Sequence, residues 1–179
     1  MIPVLLLGGS AKQKSAGFLC DILRTHFSVF LVSSDQFSLP GAGFDFVIAE
    51  LDQLSTVEAS HPIILCKEPF AAKQIRLPPD AIGLLSSGNL PAAEFLCRCG
   101  ICAMTFGMSG KDTLTLSSIT RDSAVLCLQR AINDLQGNLW DPVEIPLALS
   151  GRYTAFQILC AASVLMLSGQ ADILKQILF

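Results

Sequence analysis

PVLLLGGSAKQKSAGFLCDILRTHF, residues 3–27, decides the fold. Val4 to Leu7 is a continuous apolar run closed by Gly8 and Gly9, which suits a strand buried on both faces and so central in a parallel sheet. Ala16, Leu19, Cys20 and Leu23 then recur as the stripe of an amphipathic helix, leaving Asp21, Arg24 and Thr25 to water. Between strand and helix lies Gly8-Gly9-Ser10-Ala11-Lys12-Gln13-Lys14-Ser15. A phosphate-binding loop needs glycines so that amides converge on an anion, a lysine for the outer phosphates and a hydroxyl for Mg²⁺. Set against G-x-x-x-x-G-K-[ST], the register runs from Gly8 to Lys14 and Ser15, with Gln13 where the second glycine should stand. Gln adopts the backbone conformations open to glycine poorly, so the loop is degenerate. A shifted register makes Lys12 the phosphate lysine, and both lysines stay candidates.

Downstream, short apolar runs recur at Ser28–Val32, Phe44–Glu50, Pro62–Cys66, Ala81–Leu85 and Ile101–Phe106. They alternate with helices or loops, the pattern of a doubly wound, mostly parallel α/β sheet. A polar helix is expected over Asp52–Ser60, and a Pro-containing connection over Lys67–Asp80. Asn89 precedes Leu90-Pro91 and is placed to cap a helix that buries Ala92, Phe95 and Leu96 and stops at Gly100. From Gly107 the texture changes. Thr113–Leu116, Ser123–Ile132 and Val143–Leu149 read as antiparallel strands, because no crossover helix intervenes. Ser150-Gly151 opens an apolar helix that stops before Gly169, and a final amphipathic turn carries Ile173, Leu174, Ile177 and Leu178. The expectation is a single domain over residues 1–179: a parallel core in 1–106, an antiparallel extension in 107–149 and C-terminal helices in 150–179. Ligands of such sheets bind beyond the carboxyl ends of the strands. Gly8, Gly9, Ser10, Lys12, Lys14, Ser15, Glu50 and Asn89 all fall at such ends and form the candidate binding set.

Composition removes several function classes. Twelve basic residues against fifteen acidic ones give a net charge of −3, with no basic patch interleaved with aromatics, so nucleic acid is not an expected partner. Ala155–Leu167, about 13 residues, falls short of the roughly 20 that span a bilayer, and the N-terminus has no basic region before its short apolar run. Seven cysteines, mostly inside apolar runs, suit free thiols in a reducing cytoplasm. Cys97, Cys99 and Cys102 lack a fourth ligand for zinc. Neither His26 nor His61 joins a nucleophile motif, and no catalytic residue is assigned. Only 15% of residues are charged, against about 25% in a usual domain, which suits a sheet covered on both faces and a homo-oligomer or partner-protein interface.

The strand-loop-helix with Lys14-Ser15, the strand FDFVIAE ending in Glu50, the run AIGLLSSGNLPAAEFLCRCGICAMTFG and the helix segment LALSGRYTAFQILCAASVLMLSG follow one another in an order that resembles the central, ATP-binding domain of the Mur ligase family, shortened. The resemblance implies Mg²⁺-ATP at the loop, with Lys14 on the phosphates and Ser15 and Glu50 toward the metal. Departures from the family pattern accompany it. Gln13 replaces the loop glycine, Ser87-Gly88-Asn89 stands for an aspartate pair, Arg152-Tyr153 stands for His-Asn, and no Asp-His pair follows the Pro62–Cys66 strand. The family's precursor-binding and C-terminal domains are not expected in this chain. Ligation needs a shielded acyl-phosphate and a positioned amine. The expectation is therefore a binding or scaffolding module without ligase chemistry. The alternative is an ATP-dependent ligase or transferase component completed by a partner chain. A Rossmann-type cofactor binder is disfavoured, because Asp35 comes late after the second strand.

Overall fold

The computed structural model of the chain describes residues 1–9, 16–33, 37–38 (backbone only), 43–51, 54–71 and 74–179. Its contacts divide the chain into two compact units, Met1–Met104 and Thr105–Phe179, near the change of texture read at Gly107.

In the first unit, β1 (Ile2–Leu7), α1 (Ala16–Leu23), β2 (Val29–Ser33), β3 (Phe37–Ser38), β4 (Phe46–Glu50), β5 (Ile63–Cys66), β6 (Ile82–Ser86) and α2 (Leu90–Arg98) follow in order. Their strands lie in the order β6-β5-β1-β4-β2-β3. All neighbours described in register are parallel except β2 and β3. The apolar run puts β1 in the middle, as its lack of alternation requires, with Val4 and Leu6 at most 1% exposed. Val4 stands abreast of Ile48 and Ile63, and Leu6 abreast of Glu50 and Leu65. Residues abreast share a face. On that face the α1 amide of Ala16 reaches Glu50. On the other face Leu7, Ile64, Cys66 and Leu85 pack with Ala92, Phe95 and Leu96 of α2. Each fully enclosed aliphatic side chain contributes on the order of 2 kcal/mol, and the two helices cover opposite faces of the sheet. The chain winds from β1 toward β2 and β4, then crosses to β5, so the switch of direction falls at the carboxyl end of β1.

Gly83 shows how closely α2 docks. A Cβ there would lie 2.4 Å from Leu96 Cδ1, and only glycine admits the leucine. Asn89 caps α2 as its sequence position implied, accepting from the Ala92 amide at 3.3 Å.

The second unit holds β7 (Cys102–Gly107) from Thr105 onward, then β8 (Leu114–Ser117), β9 (Ser123–Leu128), β10 (Ile132–Asn133), β11 (Leu139–Trp140), β12 (Val143–Ala148), α3 (Ala155–Leu167) and a 3-10 turn, Ala171–Lys175. β8–β9 and β9–β12 are antiparallel, and β10–β11 is a separate hairpin. Residues Ile158 to Leu167 of α3 are all buried, and the helix packs on β8.

Three expectations are corrected. The described part of Asp52–Ser60 is extended rather than helical, because Thr56 bridges Arg76 and Val57 is drawn into the core. The strand expected over Ser123–Ile132 ends at Leu128, and Ile132 turns into the β10–β11 hairpin. α3 begins at Ala155 instead of Ser150, because Thr154 closes a capping box with Gln157. Among the described residues no helix is long and apolar enough to cross a membrane.

Candidate functional site

The carboxyl ends of β1, β4 and β5 converge because these three strands are neighbours in register. Gly8 and Gly9 leave β1 with φ of +83° and +77°, a conformation that other residues adopt at a cost. Both glycines also yield space. A Cβ on Gly8 would lie 2.7 Å from the Phe70 ring, and one on Gly9 would lie 3.0 and 3.1 Å from Lys67 Cε and Nζ. The Gly9 amide donates to the Pro69 carbonyl at 2.8 Å, so the protein itself occupies that donor.

Glu50, at the end of β4, has one oxygen 2.5 Å from Lys67 Nζ, while the other accepts from the Ala16 amide at 2.9 Å. The carboxylate thereby neutralises both a buried ammonium and the positive end of α1. Lys67, directly after β5, is the residue that sequence reasoning missed. Its position in a Pro-containing connection carried no signal, because its partner lies 17 residues away. Its backbone is fixed twice: its amide donates to Leu7 at 2.8 Å, and its carbonyl accepts from Asn89 Nδ2 at 3.2 Å. Asn89 therefore spends its side chain on the α2 cap and on Lys67, and is only 3% exposed. The structure brings Gly8, Gly9, Glu50 and Asn89 together around Lys67. Ser10, Lys12, Lys14 and Ser15 lie outside the described residues.

Beside the glycine pair is an apolar cavity of about 40 Å³ edged by Leu54, Phe70 and Ile75, far below the several hundred Å³ of a small-molecule pocket. A larger open cleft of about 780 Å³, walled by Arg76 and Arg98, includes none of Gly8, Gly9, Glu50, Lys67 and Asn89.

No family model and no curated protein matches the chain. Solved structures do. The chain aligns over 99% of its length, at 13% identity and a TM-score of 0.58, with the UDP-N-acetylmuramoylalanyl-D-glutamyl-2,6-diaminopimelate–D-alanyl-D-alanyl ligase of Acinetobacter baumannii, covering 46% of it. It aligns over 97%, at 14% identity and a TM-score of 0.57, with the MurF ligase of Thermotoga maritima in complex with ADP, covering 48% of it. The fold is that of the Mur ligases. A further match, at 12% identity and a TM-score of 0.54, is the UDP-N-acetylmuramate:L-alanyl-gamma-D-glutamyl-meso-diaminopimelate ligase of Neisseria meningitides, over 98% of this chain and 65% of that one. The chain thus spans about half the length of the first two Mur ligases.

Within this Mur-ligase fold Glu50 is the carboxylate that the family resemblance directs toward Mg²⁺. The described residues do not fit that ion. Each oxygen of Glu50 already has a donor, one of them a cation, and no cluster of three or more His, Cys, Asp or Glu side chains exists among the described residues. Arg152, where the family pattern has His, stacks its guanidinium over the ring of Tyr153 at 5.4 Å within the second unit.

Proposed function

We propose that the chain is a Mur-ligase-like binding or scaffolding module without ligase chemistry of its own, with a degenerate phosphate loop and a partner protein or second copy as its target. The observation that carries this reading is the commitment of Glu50 to Lys67 and to the first amide of α1. A carboxylate so engaged does not hold the Mg²⁺ that neutralises charge developing on a transferred phosphoryl group, and that neutralisation is the main work of a phosphoryl-transfer site. The Ser87-Gly88-Asn89 and Arg152-Tyr153 replacements support the same conclusion.

Purified full chain, incubated with ATP and Mg²⁺, is expected to release ADP no faster than buffer. Release that disappears in both Lys14→Ala and Glu50→Ala overturns the proposal. Isothermal titration with ATP addresses the loop separately: micromolar binding abolished by Lys14→Ala means that the site is retained.

The placement of Glu50 at the end of the strand beside β1 favours the second reading, an ATP-dependent ligase or transferase component completed by a partner chain. ADP is bound by the Thermotoga maritima MurF ligase, which makes an adenine nucleotide the first ligand to try. This reading requires ATP turnover on adding that partner, and it fails if Lys14→Ala and Glu50→Ala leave the turnover unchanged.

A further inference from the structure

We propose that the Lys67 ammonium permanently holds the place beside Glu50 that a divalent cation would take, so that Glu50 is closed to Mg²⁺. The ammonium lies directly against Glu50 Oε1, where a cation held by that oxygen would sit. The ammonium is built in rather than draped over the surface. The Lys67 side chain is 8% exposed and runs beneath Gly9, where any side chain would press on Cε and Nζ. It is also anchored at its root. The Lys67 amide is tied to Leu7 and its carbonyl to Asn89, so its backbone is fixed to both β1 and the α2 cap. The remaining Glu50 oxygen serves Ala16. An arriving metal would meet a fixed positive charge beside the carboxylate it needs.

Mn²⁺ alone is the probe, read by electron paramagnetic resonance on the full chain with no nucleotide present, so the outcome does not depend on whether the loop binds ATP. Wild type is expected to show no Mn²⁺ site that Glu50→Gln removes. Lys67→Ala is expected to bind one equivalent at least tenfold more tightly than wild type, to lose it again when Glu50→Gln is added, and to gain Tm with Mn²⁺ where wild type does not. A Glu50-dependent Mn²⁺ site in wild type overturns the proposal. So does a folded Lys67→Ala with the affinity and Tm response of wild type. If Lys67→Ala does not fold without metal, Lys67→Gln is refolded with and without Mn²⁺. Recovery only with the ion supports the substitution of one cation by another, and equal yields overturn it.

Discussion

Lys67 and Glu50 expose only 8% and 12% of their side chains. Net stabilisation by such pairs is small, because desolvation offsets attraction, but removing one partner strands a charge. Lys67→Ala should therefore lower the unfolding free energy by about 3 kcal/mol, measured by urea denaturation. The double change Lys67→Met with Glu50→Gln should recover most of that loss, because an amide oxygen still accepts from Ala16 and no charge remains. If single and double variants are equally unstable, the pair is not the cause. Asp134 is a second buried carboxylate, and its partners set its chemistry. Burial raises its pKa, but hydrogen bonds from the Asn138 side chain and amide, the Trp140 indole and the Gln136 amide outweigh it, and the carboxyl ends below its ordinary 3.8. A depressed folded pKa means that the unfolded chain takes up the proton first as pH falls. The stabilisation is thus complete above pH 3.8 and is lost as pH drops through the folded value. Asp134→Asn should flatten the acid limb of Tm against pH, and an unchanged limb would remove Asp134 as its source.

Among the elements, α2 depends on the absence of a side chain opposite it. Gly83→Ala places a methyl group 2.4 Å from Leu96 Cδ1, and overpacking of this kind costs about 2 kcal/mol. Leu96→Ala in the same chain should cost less than the sum of the two single changes, because the methyl then enters the space vacated; strict additivity in denaturation would show that the two residues do not touch. The same elements show what a sequence carries. Val4–Leu7, the α1 stripe and Asn89 were legible because each signal is local: an unbroken apolar run, a helical period, a cap ahead of proline. Glu50 at a strand end was legible too. Lys67 was not, since nothing near it in sequence marks it, and its meaning comes from β4 and β5 flanking β1. The polar segment after Glu50 looked helical by composition, yet the Thr56–Arg76 bridge and burial of Val57 extended it. Tertiary pairing there outweighed local preference.

Across the whole molecule, the seven cysteines sort by enclosure. Cys20, Cys66, Cys127 and Cys160 are buried, while Cys97, Cys99 and Cys102 are exposed. Burial pushes the Cys20 thiol up to about 11 and the Cys66 thiol up to about 12, and raises Cys160 as well. Thiols held protonated and out of water do not attack a disulfide reagent. A chromogenic thiol titration near pH 8 should count three groups in the native protein and seven in guanidinium; a fast fourth group in the native state would contradict the described packing. The second unit adds a consequence of its own. Ile158 to Leu167 are enclosed on every side, and no charged residue occurs anywhere in α3. A helical stretch with no wet face is harmless only while its surroundings shelter it. Heating or dilution from denaturant sets that greasy cylinder loose beside identical copies, and clumping then competes with recovery in proportion to how crowded the sample is.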